Sequence, residues 1–135
     1  MAFTTLIIDD SPPTRKIISH HFSKAGYVVV GEAGNGAEGL RLFRERQPNV
    51  VTLDLIMPEV EGVSSIETLQ AMKKAQGDHL IIIVSAVPFE RTREECLRAG
   101  VLDYIIKPFN QYSFEPVRVK LARVFHLPIG SSAGH

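Results

Sequence analysis

Apolar residues are concentrated in five short runs, and most of these runs are apolar at consecutive positions rather than at alternating ones. Continuous apolar runs of this length are typical of strands in a parallel sheet whose two faces are both covered. They predict five strands, which span residues 4–8, 27–32, 49–53, 80–85 and 102–106.

The segments between these runs carry apolar residues at helical spacing, and turn residues delimit them. Pro12 and Pro13 suit the first turn of a first helix, which ends at Gly26. Asn35 can cap a second helix, which ends before Pro48. Each predicted helix is therefore bounded by residues that favour its ends.

Three further helices follow: one that ends near Gly77, one from about residue 88 to 99, and one with Pro116 in its first turn. The residues predicted to face the core are, helix by helix, Ile18, Phe22 and Ala25; Ala37, Leu40 and Phe43; Val63, Ile66 and Leu69; Phe89, Cys96 and Ala99; Phe114, Val117, Leu121 and Val124. Five β-α units in succession predict a single α/β domain, a doubly wound (βα)5 parallel sheet with helices on both faces.

Composition narrows the setting of this domain. At 135 residues the chain is of single-domain size, and Lys plus Arg and Asp plus Glu both number 15, which argues against nucleic-acid or membrane binding through a charged surface. Cys96 is the only cysteine and no leader-like segment precedes the first run, so we expect a cytoplasmic protein. We expect the domain to span residues 1–128, with a flexible tail, linker or expression remnant at 129–135.

Polar side chains lie at the carboxyl ends of four of the predicted strands, at the sheet edge where ligands of such folds gather. The first strand is followed by Asp9 and Asp10, the third by Asp54, and the fifth by Lys107, while Ser85 ends the fourth. Adjacent carboxylates repel each other, but a hard divalent cation lets several of them stay ionised. The sequence therefore predicts a Mg²⁺ site at this edge.

Asp54 is the best candidate for a nucleophile among these acids. It follows the third predicted strand, which is the central one in the usual order of such sheets, and Met57 and Pro58 turn the chain away just beyond it. A carboxylate can attack phosphorus to form an acyl phosphate, and phosphoryl transfer depends mainly on positioning and charge neutralisation. Mg²⁺ and Lys107 would supply that neutralisation.

The stretches "DDSPPTRKII", "VVTLDLIMPEVEG", "LIIIVSA" and "YIIKPF" resemble the receiver domains of two-component response regulators, from residue 4 to about 126. The resemblance implies the flavodoxin-like strand order 2-1-3-4-5, with Asp54 as phosphoacceptor. It further implies that Asp10 is a direct Mg²⁺ ligand, that Asp9 is a ligand through water and that Ile56 is a ligand through its backbone carbonyl. It also implies that Ser85 and Lys107 bind the phosphoryl group and that Tyr104 is an aromatic switch. The opening stretch is most similar to chemotaxis-type receivers.

A receiver accepts its phosphoryl group from a histidine kinase or a phosphotransfer protein and controls an output protein or a C-terminal effector domain. It is not an enzyme beyond its own phosphorylation and dephosphorylation. We expect Ser85 to move toward the phosphoryl group and Tyr104 to turn inward. We expect slow hydrolysis, because the side chains of Ile56 and Val87 would flank the attacking water and cannot hydrogen-bond to it.

Other interpretations differ in the residues they require. A haloacid dehalogenase phosphatase has Asp-x-Asp after its first strand, an FMN carrier has a glycine-rich phosphate loop, and a nucleotide switch has a Gly-rich Lys-Ser/Thr loop. This chain has "DDSPPTR" at that position. The remaining alternative is a pseudo-receiver, an interaction module of the same fold that is never phosphorylated. Each site residue alone also has an ordinary structural explanation, and only their combination favours the receiver.

Overall fold

Five strands alternate with five helices in the computed structural model, which describes residues 2–129. The strands are β1 (Thr4–Ile8), β2 (Val28–Ala33), β3 (Val50–Leu53), β4 (Leu80–Ser85) and β5 (Asp103–Ile106). The helices are α1 (Pro12–Lys24), α2 (Gly36–Arg46), α3 (Ser65–Lys74), α4 (Glu90–Arg98) and α5 (Glu115–Val124). The predicted succession of β-α units is confirmed.

The strands form one parallel sheet in the order β2-β1-β3-β4-β5. Ile8 at the end of β1 pairs with Leu53 at the end of β3, and Ser85 at the end of β4 pairs with Ile106 at the end of β5. This register brings the residues that follow the strands to one edge of the sheet. The predicted doubly wound α/β fold and its strand order are therefore both confirmed.

The core lies in two layers, one on each face of the sheet. One face is covered by side chains of α2, α3 and α4, including Phe43, Met72 and Cys96. The other face is covered by α1 and α5, including Phe22 and Leu121. Every residue of β3 is buried, and all but the first residue of β1 and of β4 are buried, which explains why these runs are apolar at consecutive positions.

Local contacts fix the strand that leads into the predicted site. The Ser11 hydroxyl accepts a hydrogen bond from the Thr14 amide and so caps α1. On the other face, α2 packs closely on β1 at Gly39, where an added Cβ would lie 2.6 Å from the Ile8 side chain. Only glycine leaves room for this approach, and it holds the end of β1 against α2.

Several predicted core residues are instead exposed, and they lie at the ends of helices. Ala25 and Ala99 are C-cap residues, Phe89 is the N-cap of α4, and Val124 is the last residue of α5. Ile66 lies in the first turn of α3 and is half-exposed. The apolar spacing in the sequence extends beyond the part of each helix that contacts the sheet. The prediction that these five residues face the core was therefore wrong.

The third helix also begins later than its apolar spacing suggested. Val63 precedes α3 and forms an isolated antiparallel bridge with Val60. The Ser64 hydroxyl then caps the helix in a reciprocal arrangement with Glu67. No helix in residues 2–129 has the length and apolar character needed to cross a bilayer. Of the tail predicted at 129–135, only Ile129 belongs to the described residues.

Candidate functional site

Three carboxylates meet at the carboxyl edge of the sheet. Asp9 and Asp10 follow β1, Asp54 follows β3, and one oxygen of each lies within 4.8 Å of the others. Asp9 and Asp54 are 1% and 4% exposed, whereas Asp10 is exposed. Two of these charges are thus almost completely removed from water, which is costly unless each has a partner.

Lys107 is the partner of both buried acids. Its ammonium donates to Asp9 Oδ2 at 2.7 Å and to Asp54 Oδ2 at 2.8 Å. Burial alone would lower the pKa of Lys107, but hydrogen bonds and charge from Asp54 and Asp9 outweigh burial, so the pKa is raised. Lys107, which follows β5, is therefore held as a cation between two acids that follow β1 and β3.

Backbone amides hold the second oxygen of each buried acid. The Ser11 amide donates to Asp9 Oδ1 at 2.9 Å, and the Ile56 amide donates to Asp54 Oδ1 at 3.0 Å. Each carboxylate is thereby oriented with its Oδ2 toward Lys107. The turn residues that follow the two strands therefore set the direction of both acids.

The donor set at this edge fits a hard divalent cation. Three carboxylates face one ammonium, so two negative charges remain uncompensated. Within residues 2–129 the Asp10 carboxylate accepts no hydrogen bond, and neither does the Ile56 carbonyl. Mg²⁺ binds oxygen ligands of this kind and usually takes one or two carboxylates. The residues present are therefore suited to Mg²⁺.

Ser85 and Tyr104 are connected through the backbone of Val87. Ser85 is fully buried, and its hydroxyl accepts a weak hydrogen bond from the Val87 amide at 3.4 Å. The Tyr104 hydroxyl donates to the Val87 carbonyl at 2.8 Å. Tyr104 is 6% exposed, and burial raises the pKa of its phenol, with the Cys96 thiol adding to the rise and the Ser85 hydroxyl opposing it. The ring is thus already inward in this structure.

Arg15 is a site residue that the sequence reasoning missed. It lies in the first turns of α1, and its Nη1 donates to the Asp9 carbonyl at 2.6 Å while its Nε donates to Glu32 at 3.2 Å. The guanidinium therefore links the ends of β1 and β2 beside the acids. Its position four residues after the N-cap Ser11 is the only sequence signal that could have indicated this contact.

Comparisons with known proteins find similar sequences over most of the chain. A family model described as the response regulator receiver domain matches residues 5–115, a range that contains the acids, Ser85 and Lys107. The chain is 37% identical over 109 residues to the chemotaxis protein CheY of Thermotoga maritima, a match that covers 81% of this chain and 88% of the relative. A probable C4-dicarboxylate response regulator, DctR of Bacillus subtilis, is 38% identical over 105 residues, which are 77% of this chain but 45% of that protein.

Comparison with solved structures identifies proteins that have the same fold as this chain. A complex of CheX and CheY with BeF3 and Mg²⁺ from Borrelia burgdorferi matches with a TM-score of 0.74 and 27% identity. That match covers 91% of this chain and 89% of the other. The similarity therefore extends over nearly the whole length of both chains.

Proposed function

Because the chain belongs to the response regulator receiver domain family, we propose that it is a phosphorylation-controlled signalling switch whose phosphoacceptor is Asp54. Receivers of the CheY type are signalling proteins rather than metabolic enzymes. The observation that carries the proposal is the Lys107 ammonium between the buried carboxylates of Asp9 and Asp54, beside the third acid, Asp10.

The orientation of Asp54 suits a nucleophile. Its Oδ1 is held by the Ile56 amide, so Oδ2 is the oxygen that would attack phosphorus. The new O–P bond forms as the P–N bond of a donor phosphohistidine breaks, and the donor imidazole leaves with the electron pair. Lys107 can then move its hydrogen bond from Asp54 to a phosphoryl oxygen, because it remains anchored by Asp9.

Asp10, Asp9 and Asp54 would hold Mg²⁺, with the Ile56 carbonyl as a further ligand. When bound, the cation supplies charge neutralisation for the phosphoryl oxygens. The three acids would form the site at which the positive charge of the cation is held. Because Asp10 is exposed, the cation can reach this site from solvent. Mg²⁺ dependence is supported by the donor set and by the Mg²⁺ present in the related CheX–CheY complex.

The output step is proposed to use the contacts of Val87. A phosphoryl group offers strong acceptors to the Ser85 hydroxyl, which would then release its weak contact with the Val87 amide. The same residue is bound on its carbonyl side by Tyr104. Since the Tyr104 ring is already buried, we propose that phosphorylation stabilises the inward position rather than creating it.

The remaining parts of the proposal concern partners and setting. A histidine kinase or phosphotransfer protein would supply the phosphoryl group, and the signal would pass to an output protein or to an effector domain outside this sequence. Longer relatives, of which the chain spans about half, support the second route. A free, buried Cys96 is consistent with a cytoplasmic location. We propose residues 1–128 as the receiver, without nucleic-acid or membrane binding of its own.

Intact-mass spectrometry after incubation with acetyl phosphate tests the phosphoacceptor. With Mg²⁺ the wild type should gain the mass of one phosphoryl group, and it should gain none in EDTA. Asp54→Asn should not be labelled, whereas Asp78→Asn should behave as the wild type, because Asp78 is an exposed acid at the opposite edge of the sheet.

Two outcomes would contradict the proposal. Normal labelling of Asp54→Asn would place the phosphoacceptor elsewhere. A wild type that is not labelled, beside a known receiver that is, would favour the pseudo-receiver. The proposed coupling can be checked by NMR with beryllofluoride: changes confined to residues next to Asp54, with none between residues 85 and 107, would refute it.

A further inference from the structure

Arg15 contacts the backbone at the junction of the two adjacent acids. Backbone pairing between β1 and β2 ends with Ile8 and Ala33, and the Asp9 amide still donates to the Ala33 carbonyl at 2.9 Å. The next carbonyl, that of Asp9, has no strand partner. It accepts its hydrogen bond from Arg15 Nη1 at 2.6 Å.

The guanidinium itself is held in place by a second contact. Its Nε donates to Glu32 on β2 at 3.2 Å, and the Arg15 side chain is 18% exposed. An arginine fork that is fixed at two points has little remaining freedom, because its donors lie in one rigid plane. It therefore acts as a fixed brace between the ends of β1 and β2.

The braced carbonyl belongs to the peptide group that joins Asp9 to Asp10. Because this group is planar, a hydrogen bond to its oxygen also fixes the position of the Asp10 nitrogen and Cα. The Asp10 carboxylate accepts no hydrogen bond within residues 2–129, so its direction depends on the backbone that carries it. If this peptide group were free to rotate, the Asp10 carboxylate would not have a fixed direction.

From these contacts we infer that Arg15 is a positioning residue for the cation site, which holds the Asp9–Asp10 peptide so that Asp10 points at the ion. The inference rests on the proposed function, since it assumes that the three acids bind Mg²⁺. In this role Arg15 would act through the Asp9 carbonyl rather than as a ligand of the ion.

If Arg15 positions Asp10, removing Arg15 should change the Mg²⁺ affinity in the direction opposite to that expected from its charge alone. A positive charge near a cation site repels the ion, so removing Arg15 should tighten Mg²⁺ binding if charge alone mattered. If positioning dominates, the same removal weakens binding. Groups that orient metal ligands are typically worth about tenfold or more in affinity.

The test is calorimetric titration of Mg²⁺ into the wild type, Arg15→Met and Arg15→Lys. Methionine keeps the length of the stem and removes all donors, whereas lysine keeps the charge and one donor but cannot form the fork. We expect about tenfold weaker binding for Arg15→Met and an intermediate value for Arg15→Lys. The matched control, Arg91→Met, removes the same charge from an exposed position that pairs with Glu95 and should leave affinity unchanged.

A second readout separates positioning from a general loss of structure. In EDTA the amide resonance of Asp10 should shift or broaden in Arg15→Met, while thermal unfolding stays cooperative. Unchanged or tighter Mg²⁺ binding by Arg15→Met would overturn the inference. Should that variant not fold, Arg15→Lys decides, and an affinity equal to that of the wild type overturns it. A wild type that binds no Mg²⁺ would refute the proposed function and this inference together.

Discussion

Lys107 holds two carboxylates that are almost completely buried, so its replacement by methionine should destabilise the metal-free protein. Removing one partner from a buried ion pair costs about 3–5 kcal/mol, because the other charge remains without compensation. The Lys107 side chain is 20% exposed, which favours the lower end of that range. We expect a loss of about 3 kcal/mol in the free energy of unfolding and a fall in Tm of about 10 °C.

The dependence on pH distinguishes this effect from lost packing. The folded pKa of Lys107 lies above its ordinary value, so its contribution is complete below that ordinary value and disappears only as the pH rises through the folded pKa. Between neutral and mildly acidic pH the wild-type contribution is therefore constant. Lys107→Met lacks this contribution at every pH, so its deficit relative to the wild type should be constant near neutral pH and should narrow as the pH rises through the folded pKa of Lys107. A packing defect would not change with pH.

Lys120→Met is the matched control for this substitution. Lys120 pairs with Asp103 at 3.0 Å, but its side chain is 44% exposed, and exposed pairs contribute at most about 1 kcal/mol. Urea and thermal unfolding in EDTA, followed by circular dichroism, measure both variants. Equal stabilities of the two variants, or a Lys107→Met deficit that is independent of pH, would refute the view that Lys107 neutralises the buried acids.

The remaining predictions concern the cation and the lifetime of the phosphoryl group. Asp10→Ala should weaken Mg²⁺ binding by more than about tenfold in calorimetry while its unfolding stays cooperative; wild-type affinity would exclude Asp10 as a ligand. Ile56→Asn combined with Val87→Glu should accelerate loss of label from Asp54 by at least about tenfold, because both new side chains can hydrogen-bond an attacking water. Rapid decay in the wild type, unchanged by the double substitution, would show that hydrocarbon at these positions does not protect the phosphoryl group.

The sequence predicted the fold well because the signals for it are local. Continuous apolar runs mark strands that are covered on both faces, and the buried patterns of β1, β3 and β4 explain why those runs were clear. Helix ends were harder to predict, since Phe89 and Val124 continue the apolar spacing at positions that contact little. Apolar periodicity shows which side of a helix is apolar. How many residues of that side are buried depends on how far the helix lies against the sheet.

The acids and Lys107 were also predictable, since the carboxyl ends of parallel strands meet at one edge. Their individual contacts were not. Lys107 was expected to bind a phosphoryl group, and in the structure it bridges Asp9 and Asp54. The inward position of Tyr104 and its bond to Val87 depend on side-chain torsions and on a loop conformation, for which the sequence carries no periodic signal.

Arg15 shows how a contact that was missed could have been inferred. Side chains on a helix lean toward its N-terminus, so a long side chain in the first turns of α1 extends back over the end of β1. The last carbonyls of a strand lack ladder partners once pairing stops, and buried carbonyls need donors. A long cationic side chain four residues after an N-cap, directly downstream of strand-end acids, therefore has both the reach and a reason to bind the strand. In this chain the N-cap Ser11 places Arg15 where its side chain reaches the Asp9 carbonyl. Through that carbonyl, Arg15 would hold the backbone of Asp10 and so the direction of its carboxylate.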